Sequence, residues 1–166
     1  RFQGFYNTYN GFNDELAWGA VWLYYATGEE KYNEKYSVIA DAEYSEYDPF
    51  RYTGCTGPIS WDDKKPGAYV LIAKLTKDEN RLKIAEEYCD EILTQPKTPG
   101  GLWYDKQLSM WASNRYAANA ASMLAVYANM LPEGNPKREK YISFVQSQID
   151  YILGDNPAGV NYVVES

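Results

Sequence analysis

The 166-residue chain contains no histidine. That absence excludes a Ser-His-Asp triad, a Cys-His nucleophile pair and the His-based zinc sites. Cysteine is scarce as well. Cys55 falls in a Gly-containing loop and Cys89 on a predicted helix, and the pair is open to two readings, a disulfide or two buried thiols. No apolar run approaches the roughly 18 residues that a membrane-spanning helix needs. Positive charge is in deficit: the formal net charge is −7 and the pI about 4.7. A phosphate backbone or an anionic membrane is therefore a disfavoured partner. The opening Arg1-Phe-Gln-Gly has neither an initiator Met nor a leader pattern and is expected to lie inside something longer.

Aromatic residues are abundant, with 17 Tyr and 5 Trp. Such an excess packs helices together, and on a surface it suits flat, apolar ligand faces such as those of sugars. The length allows one domain. Its periodicity is helical almost throughout. Asp14 to Thr27 is apolar nearly all round and predicts a helix buried on most sides, stopped by Gly28. A one-sided helix follows from about Glu29 to Glu46. Pro66 opens a short apolar helix over Gly67 to Leu75, and Asp78 to Leu93 is amphipathic through Ile84, Tyr88 and Ile92. Ser113 is expected to cap a third apolar helix reaching about Met130. The last stripe is Tyr141, Phe144, Val145, Gln148, Ile149 and Ile152.

Three helix pairs emerge, an apolar helix preceding an amphipathic one in each, about 50 residues apart. The pattern is that of an all-α toroid of αα-hairpins, apolar helices inside. Three pairs leave both end faces of the inner layer exposed, whereas closed α/α barrels use six. Residues 1–166 are thus expected to form one partial domain, roughly the middle half of a larger barrel. The loops at about 47–65 and 94–112 are long and carry Trp, Tyr, Asp and Gly; long loops are commonly functional.

Several segments carry chemistry. Asn10-Gly-Phe-Asn-Asp-Glu15 and Asp62 offer carboxylates and backbone carbonyls of the kind a hard cation takes; equally, Asp14 and Glu15 favour a helix N-terminus electrostatically and Asp62 is solvated. Phe5-Tyr-Asn-Thr-Tyr9 reads as a stacking surface or as a staple into the next helix. Arg115-Tyr116 stands at the mouth of a helix otherwise built from Ala and Asn. An Arg there opposes the helix dipole, which argues for a specific task; its five donors match vicinal hydroxyls, or a carboxylate on a neighbouring helix. Trp61 is expected to pack under its loop, Trp103 and Tyr104 to stack on a ligand or cover a rim, and Gly154-Asp-Asn-Pro157 to stop the last helix.

In order, Gly11-Phe-Asn-Asp-Glu-Leu-Ala-Trp-Gly19, Ile59-Ser-Trp-Asp-Asp-Lys64, Ser113-Asn-Arg-Tyr-Ala-Ala-Asn-Ala-Ala121 and Gln148-Ile-Asp-Tyr-Ile-Leu-Gly-Asp-Asn-Pro157 resemble glycoside hydrolase family 9, over nearly the whole chain. The resemblance implies about half of an (α/α)6 barrel and part of a secreted endo-β-1,4-glucanase that hydrolyses β-1,4-glucan with inversion. It implies a structural calcium ion at Asn10, Gly11, Asp14, Glu15 and Asp62, and substrate contacts from Phe5, Tyr6, Tyr9, Trp111, Arg115 and Tyr116. Tyr9 stands where some relatives have Trp. An inverting glycosidase needs a general acid and a general base. The family's Asp-Ala-Gly-Asp base motif and its Pro-His-His-Arg segment are both missing here, so both catalytic carboxylates are expected to lie outside these residues. A non-catalytic α/α glycan-binding module is the alternative; a protein-binding helical scaffold would have shorter turns and fewer loop aromatics.

Overall fold

The computed structural model describes residues 11–41, 57–105 and 111–163, with Asp41 described by its backbone alone. They form six helices: α1 (Asn13–Thr27), α2 (Glu30–Asp41), α3 (Lys65–Thr76), α4 (Glu79–Thr94), α5 (Ser113–Ala128) and α6 (Pro136–Leu153). Among the described residues there is no strand, only an isolated antiparallel bridge between Lys97 and Trp103. Glu46, the expected end of the second helix, lies outside the described residues, as do Phe5, Tyr6, Tyr9, Asn10 and Cys55. The chain divides into two units, one containing 11–41 and 59–85, the other 57–58, 86–105 and 111–163.

In the first unit α1 packs on α2 and α3. The contact face of α1 is small, Ala17, Ala20 and Val21, and meets Tyr36 and Ile39 of α2 and Ala68, Tyr69 and Ile72 of α3. Small residues let helix axes approach, and the larger rings fill what remains. Gly67 extends this logic. A Cβ there would stand 2.8 Å from both Ile59 Cδ1 and Trp18 Cζ3. Arg81 adds a polar tie that periodicity does not reveal. Its guanidinium donates to Asn33 Oδ1 (2.6 Å) and Ser37 Oγ (2.7 Å) on α2 and lies 5.3 Å from the centre of the Tyr36 ring. The expectation that α1 is buried on most sides is not met: Leu16, Trp22, Leu23 and Tyr25 are exposed. Trp61 is not packed under its loop either and retains 36% of its surface.

In the second unit α5 packs on α6. Ala117, Ala120, Ala121 and Leu124 of α5 are buried, as are Tyr141 and Phe144 of α6. Gln148 interrupts the apolar stripe, fully buried, and its amide explains why. Its Oε1 accepts from the Trp103 backbone N–H (2.6 Å) and its Nε2 donates to Gly101 O (3.1 Å), so one side chain fixes the 98–103 turn. Trp103 is wholly buried, so of the two expected roles it covers rather than stacks. Lys137 bridges Glu86 Oε1 (2.6 Å) and Asp90 Oδ2 (2.7 Å); Tyr127 and Tyr141 donate to Glu86 and Asp90 respectively. Burial first, then the adjacent carboxylates, push both phenols well above the usual tyrosine range. Gly154, at φ 121°, closes α6, and Asn156 holds the turn beyond it through four hydrogen bonds to Tyr151, Ala158 and Val160.

The start of α5 differs from expectation. Ser113 is its first helical residue, and the capping position belongs to Ala112, which is left-handed and has no side-chain bond to offer.

The Gly67 contacts make a direct prediction. Gly67→Ala is expected to destabilise the fold by about 1–3 kcal/mol, the usual range for overpacking, read as a lowered midpoint in denaturant unfolding with an unchanged slope.

Candidate functional site

The first candidate site sits where α1 begins. Phe12 precedes the helix with no side-chain cap, and Asp14 and Glu15 occupy its first turn. Asp14 is 2% exposed. Its Oδ2 accepts the Lys64 backbone N–H at 2.7 Å, across 50 residues of sequence. Lys64 is presented by a tight turn. Ser60 Oγ accepts from the N–H groups of Asp62 (3.2 Å) and Asp63 (3.0 Å), Ser60 N–H donates to Asp63 O (2.8 Å), and Lys64 Nζ donates to the carbonyls of Ser60 and Trp61. The loop before α3 is thus anchored to α1 by a carboxylate–amide bond.

The remaining oxygens of the pair are in a different state. Asp14 Oδ1 and Glu15 Oε2 are buried, and among the described residues neither accepts a hydrogen bond. Burial, then the neighbouring Asp14 carboxyl, raises the Glu15 pKa above its usual 4.5, and the Glu15 backbone N–H and then the Lys64 charge only partly offset this. Two adjacent carboxylate oxygens without donors are satisfied by a proton retained between them or by a cation. Unpartnered carboxylate oxygens are the donors a hard divalent ion takes, so this pair fits calcium. Gly11 adjoins it on an exposed turn at φ 85°; Asn10 lies outside the described residues. Asp62 belongs to the adjoining turn, but among the described residues no three acidic, Cys or His side chains converge as a metal group.

The second candidate site opens α5, in the other unit. Trp111 is 79% exposed. Arg115 is exposed too, and its guanidinium lies 4.6 Å from the Tyr116 ring centre while Nη2 donates to the Tyr116 hydroxyl at 2.8 Å. Among the described residues Arg115 makes no ion pair, which leaves donors for a ligand. Tyr116 itself is 3% exposed. Its place is beneath Arg115, holding the guanidinium in position. The buried alanines Ala117, Ala120 and Ala121 follow on the packed side of the helix.

The family model for glycosyl hydrolase family 9 matches residues 1–166. The chain belongs to that family. It is 38% identical to endoglucanase A of Bacillus pumilus, the match covering 98% of this chain and 25% of that protein, and 34% identical to endoglucanase 13 of Oryza sativa subsp. japonica, covering 96% and 28%. Among solved structures it resembles endoglucanase CelQ from Clostridium thermocellum, in complex with cellobiose and cellotriose, with TM-score 0.82 and 34% identity over 98% of this chain and 27% of that one. The cellulase Cel9M of C. cellulolyticum follows at TM-score 0.80 and 30% identity, covering 98% and 35%. This family-9 chain thus spans about a quarter of the length of the curated relatives it matches. Its helices correspond to part of an (α/α)6 barrel.

The Lys64 amide escapes sequence reasoning, since any residue but proline supplies such a donor; the Ser60-Trp-Asp-Asp turn that aims it is a readable signal. Ala112 gives no signal.

The acidic pair predicts a pH dependence. With chelator present, Glu15 has a folded-state pKa above its unfolded value, so its contribution is complete below about pH 4.5 and is lost as pH rises through the folded value. Asp14→Asn keeps an acceptor for Lys64 N–H but removes the neighbouring charge. That variant is expected to lose less stability than the wild type over the same pH interval in chelator, measured by urea unfolding.

Proposed function

We propose that the chain is part of an endo-β-1,4-glucanase that cleaves cellulose or cello-oligosaccharides with inversion. The observation that carries this reading is the family match along the whole chain, together with relatives named as endoglucanases. The exposed Trp111 and the partly unsatisfied Arg115 suit it chemically: an indole face takes the C–H face of a pyranose, and a guanidinium donates to its hydroxyls. Phe5, Tyr6 and Tyr9 add further stacking surface in this proposal, while Tyr116 acts through Arg115. A net charge of −7 suits a neutral polymer rather than a polyanion. Cellulose is insoluble, so the enzyme is secreted.

Inversion requires an acid and a base on opposite sides of the scissile bond with room for water. The Asp-Ala-Gly-Asp motif of the family's base does not occur in the 166 residues, and the family's acid is a Glu near the domain's C-terminus, so in this proposal other parts of the domain supply both. This segment contributes substrate contacts and a calcium site. Asp14 and Glu15 provide carboxylate oxygens, Asn10 and Gly11 backbone carbonyls, and Asp62 a further oxygen from the loop. A cation held there would relieve the repulsion between the Asp14 and Glu15 carboxyls and would add to the tie that Lys64 N–H already makes between α1 and the loop.

Three outcomes are expected. The 166-residue chain alone releases no reducing sugar from carboxymethylcellulose; turnover at enzyme-like rates that survives repurification contradicts the assignment of acid and base to other segments. In the complete enzyme, Arg115→Ala lowers kcat/KM about 10- to 100-fold, as expected for lost charged hydrogen bonds; an unchanged value removes Arg115 from the binding site. Calcium is expected to stabilise the complete enzyme by about 2.7 kcal/mol at a hundredfold excess over Kd, read as a raised melting temperature, and Asp62→Ala to remove most of that gain. Calorimetry with and without chelator measures it, and identical curves leave Asp14 only its tie to the Lys64 N–H and overturn the calcium site.

A further inference from the structure

Among the described residues two that are not glycine have positive φ, Lys77 and Ala112. Lys77 closes α3, and a left-handed residue at a helix C-terminus is common. Ala112 occupies the opposite end of a helix, at φ 57° and ψ 52° in the capping position of α5, with no side-chain capping bond. Residues there are ordinarily extended, and their side chains accept from the first turn. Ala112 is not extended here, and alanine has no side-chain acceptor to offer. Its Cβ also makes the left-handed state unfavourable, which glycine or asparagine would tolerate. The strain is therefore not offset by capping.

What this backbone angle determines is the course of the chain just before the helix. The residue it carries there is Trp111, the most exposed of the large hydrophobic side chains among the described residues, at 79%. Three residues beyond Ala112 is Arg115, whose N–H donates to the carbonyl of Ala112 itself at 3.1 Å. An extended or right-handed residue at 112 would rotate the peptide that carries Trp111 relative to the first turn of α5. Strained backbone of this kind persists where a surrounding site over-determines it.

We propose that Ala112 is a positioning residue for glycan binding: its left-handed backbone holds the Trp111 indole outward in a fixed relation to Arg115, so that one sugar can stack and hydrogen-bond at once. The inference rests on the reading that Trp111 contacts glycan, and it adds the group that aims it.

The test uses the complete catalytic domain and a sulfur-linked cellotetraose, which resists hydrolysis, with Kd from calorimetry well below the melting temperature. A β-branched side chain excludes the left-handed state, whereas asparagine accepts it. Ala112→Val is expected to raise Kd about tenfold and Ala112→Asn to stay within about twofold of wild type. In a Trp111→Ala background the effect of Ala112→Val is expected to vanish, which a general loss of stability would not produce. Trp111→Ala weakening binding while Ala112→Val leaves Kd unchanged overturns the positioning role and spares the glycan reading. Trp111→Ala without effect overturns both. If the valine variant does not fold, Ala112→Gly decides. It relieves the strain and frees the hinge, so it is expected to keep or raise the melting temperature while raising Kd about threefold; an unchanged Kd overturns the proposal.

Discussion

A buried carboxylate joins the beginning of α1 to the beginning of α3, and the first candidate site depends on it. Asp14 spends one oxygen on the Lys64 N–H and is left with another that has no donor among the described residues. Burying a charge is unfavourable unless it is paired and hydrogen-bonded. Half of that condition is met by the loop. The other half is left to a proton shared with Glu15 or to a cation, and the raised Glu15 pKa is the electrostatic expression of the same shortfall. The tie to the loop exists without an ion.

Around that tie, alanine and glycine on α1 and α3 lie against tyrosine, isoleucine and tryptophan side chains of their neighbours. Arg81 in one unit, and Lys137 and Gln148 in the other, complete the contacts with directional bonds. These polar ties span 40 or more residues and set how helices register, a task that uniformly apolar surfaces perform poorly.

The helices themselves were legible because a 3.6-residue period survives in single sequences. Each of the six elements appears, with ends displaced by a few residues. The start of α6 was not read from its stripe, although Asn135 followed by Pro136 is a cap signal and Asn135 Oδ1 does accept from Lys137 N–H. The exposed face of α1 follows from the same composition that suggested burial: an apolar helix is buried only where a neighbour lies against it. Of the candidate site, the residue types were legible and the relations between them were not. Nothing in the letters shows that Tyr116 lies under Arg115, that a backbone amide at residue 64 seeks Asp14, or that an alanine at 112 is left-handed. Those depend on tertiary geometry, to which local pattern is blind.

The central claim is the proposal that Asp14 Oδ1 and Glu15 Oε2, which have no donor among the described residues, serve a divalent cation. Anomalous diffraction from crystals of the complete domain grown with calcium tests it most directly. The account predicts a calcium peak about 2.3–2.6 Å from Asp14 Oδ1 and Glu15 Oε2, the usual oxygen–calcium range, with Asp14 Oδ2 still accepting from Lys64. An empty site, with the two carboxyls in contact as a proton-sharing pair at neutral pH, would contradict it.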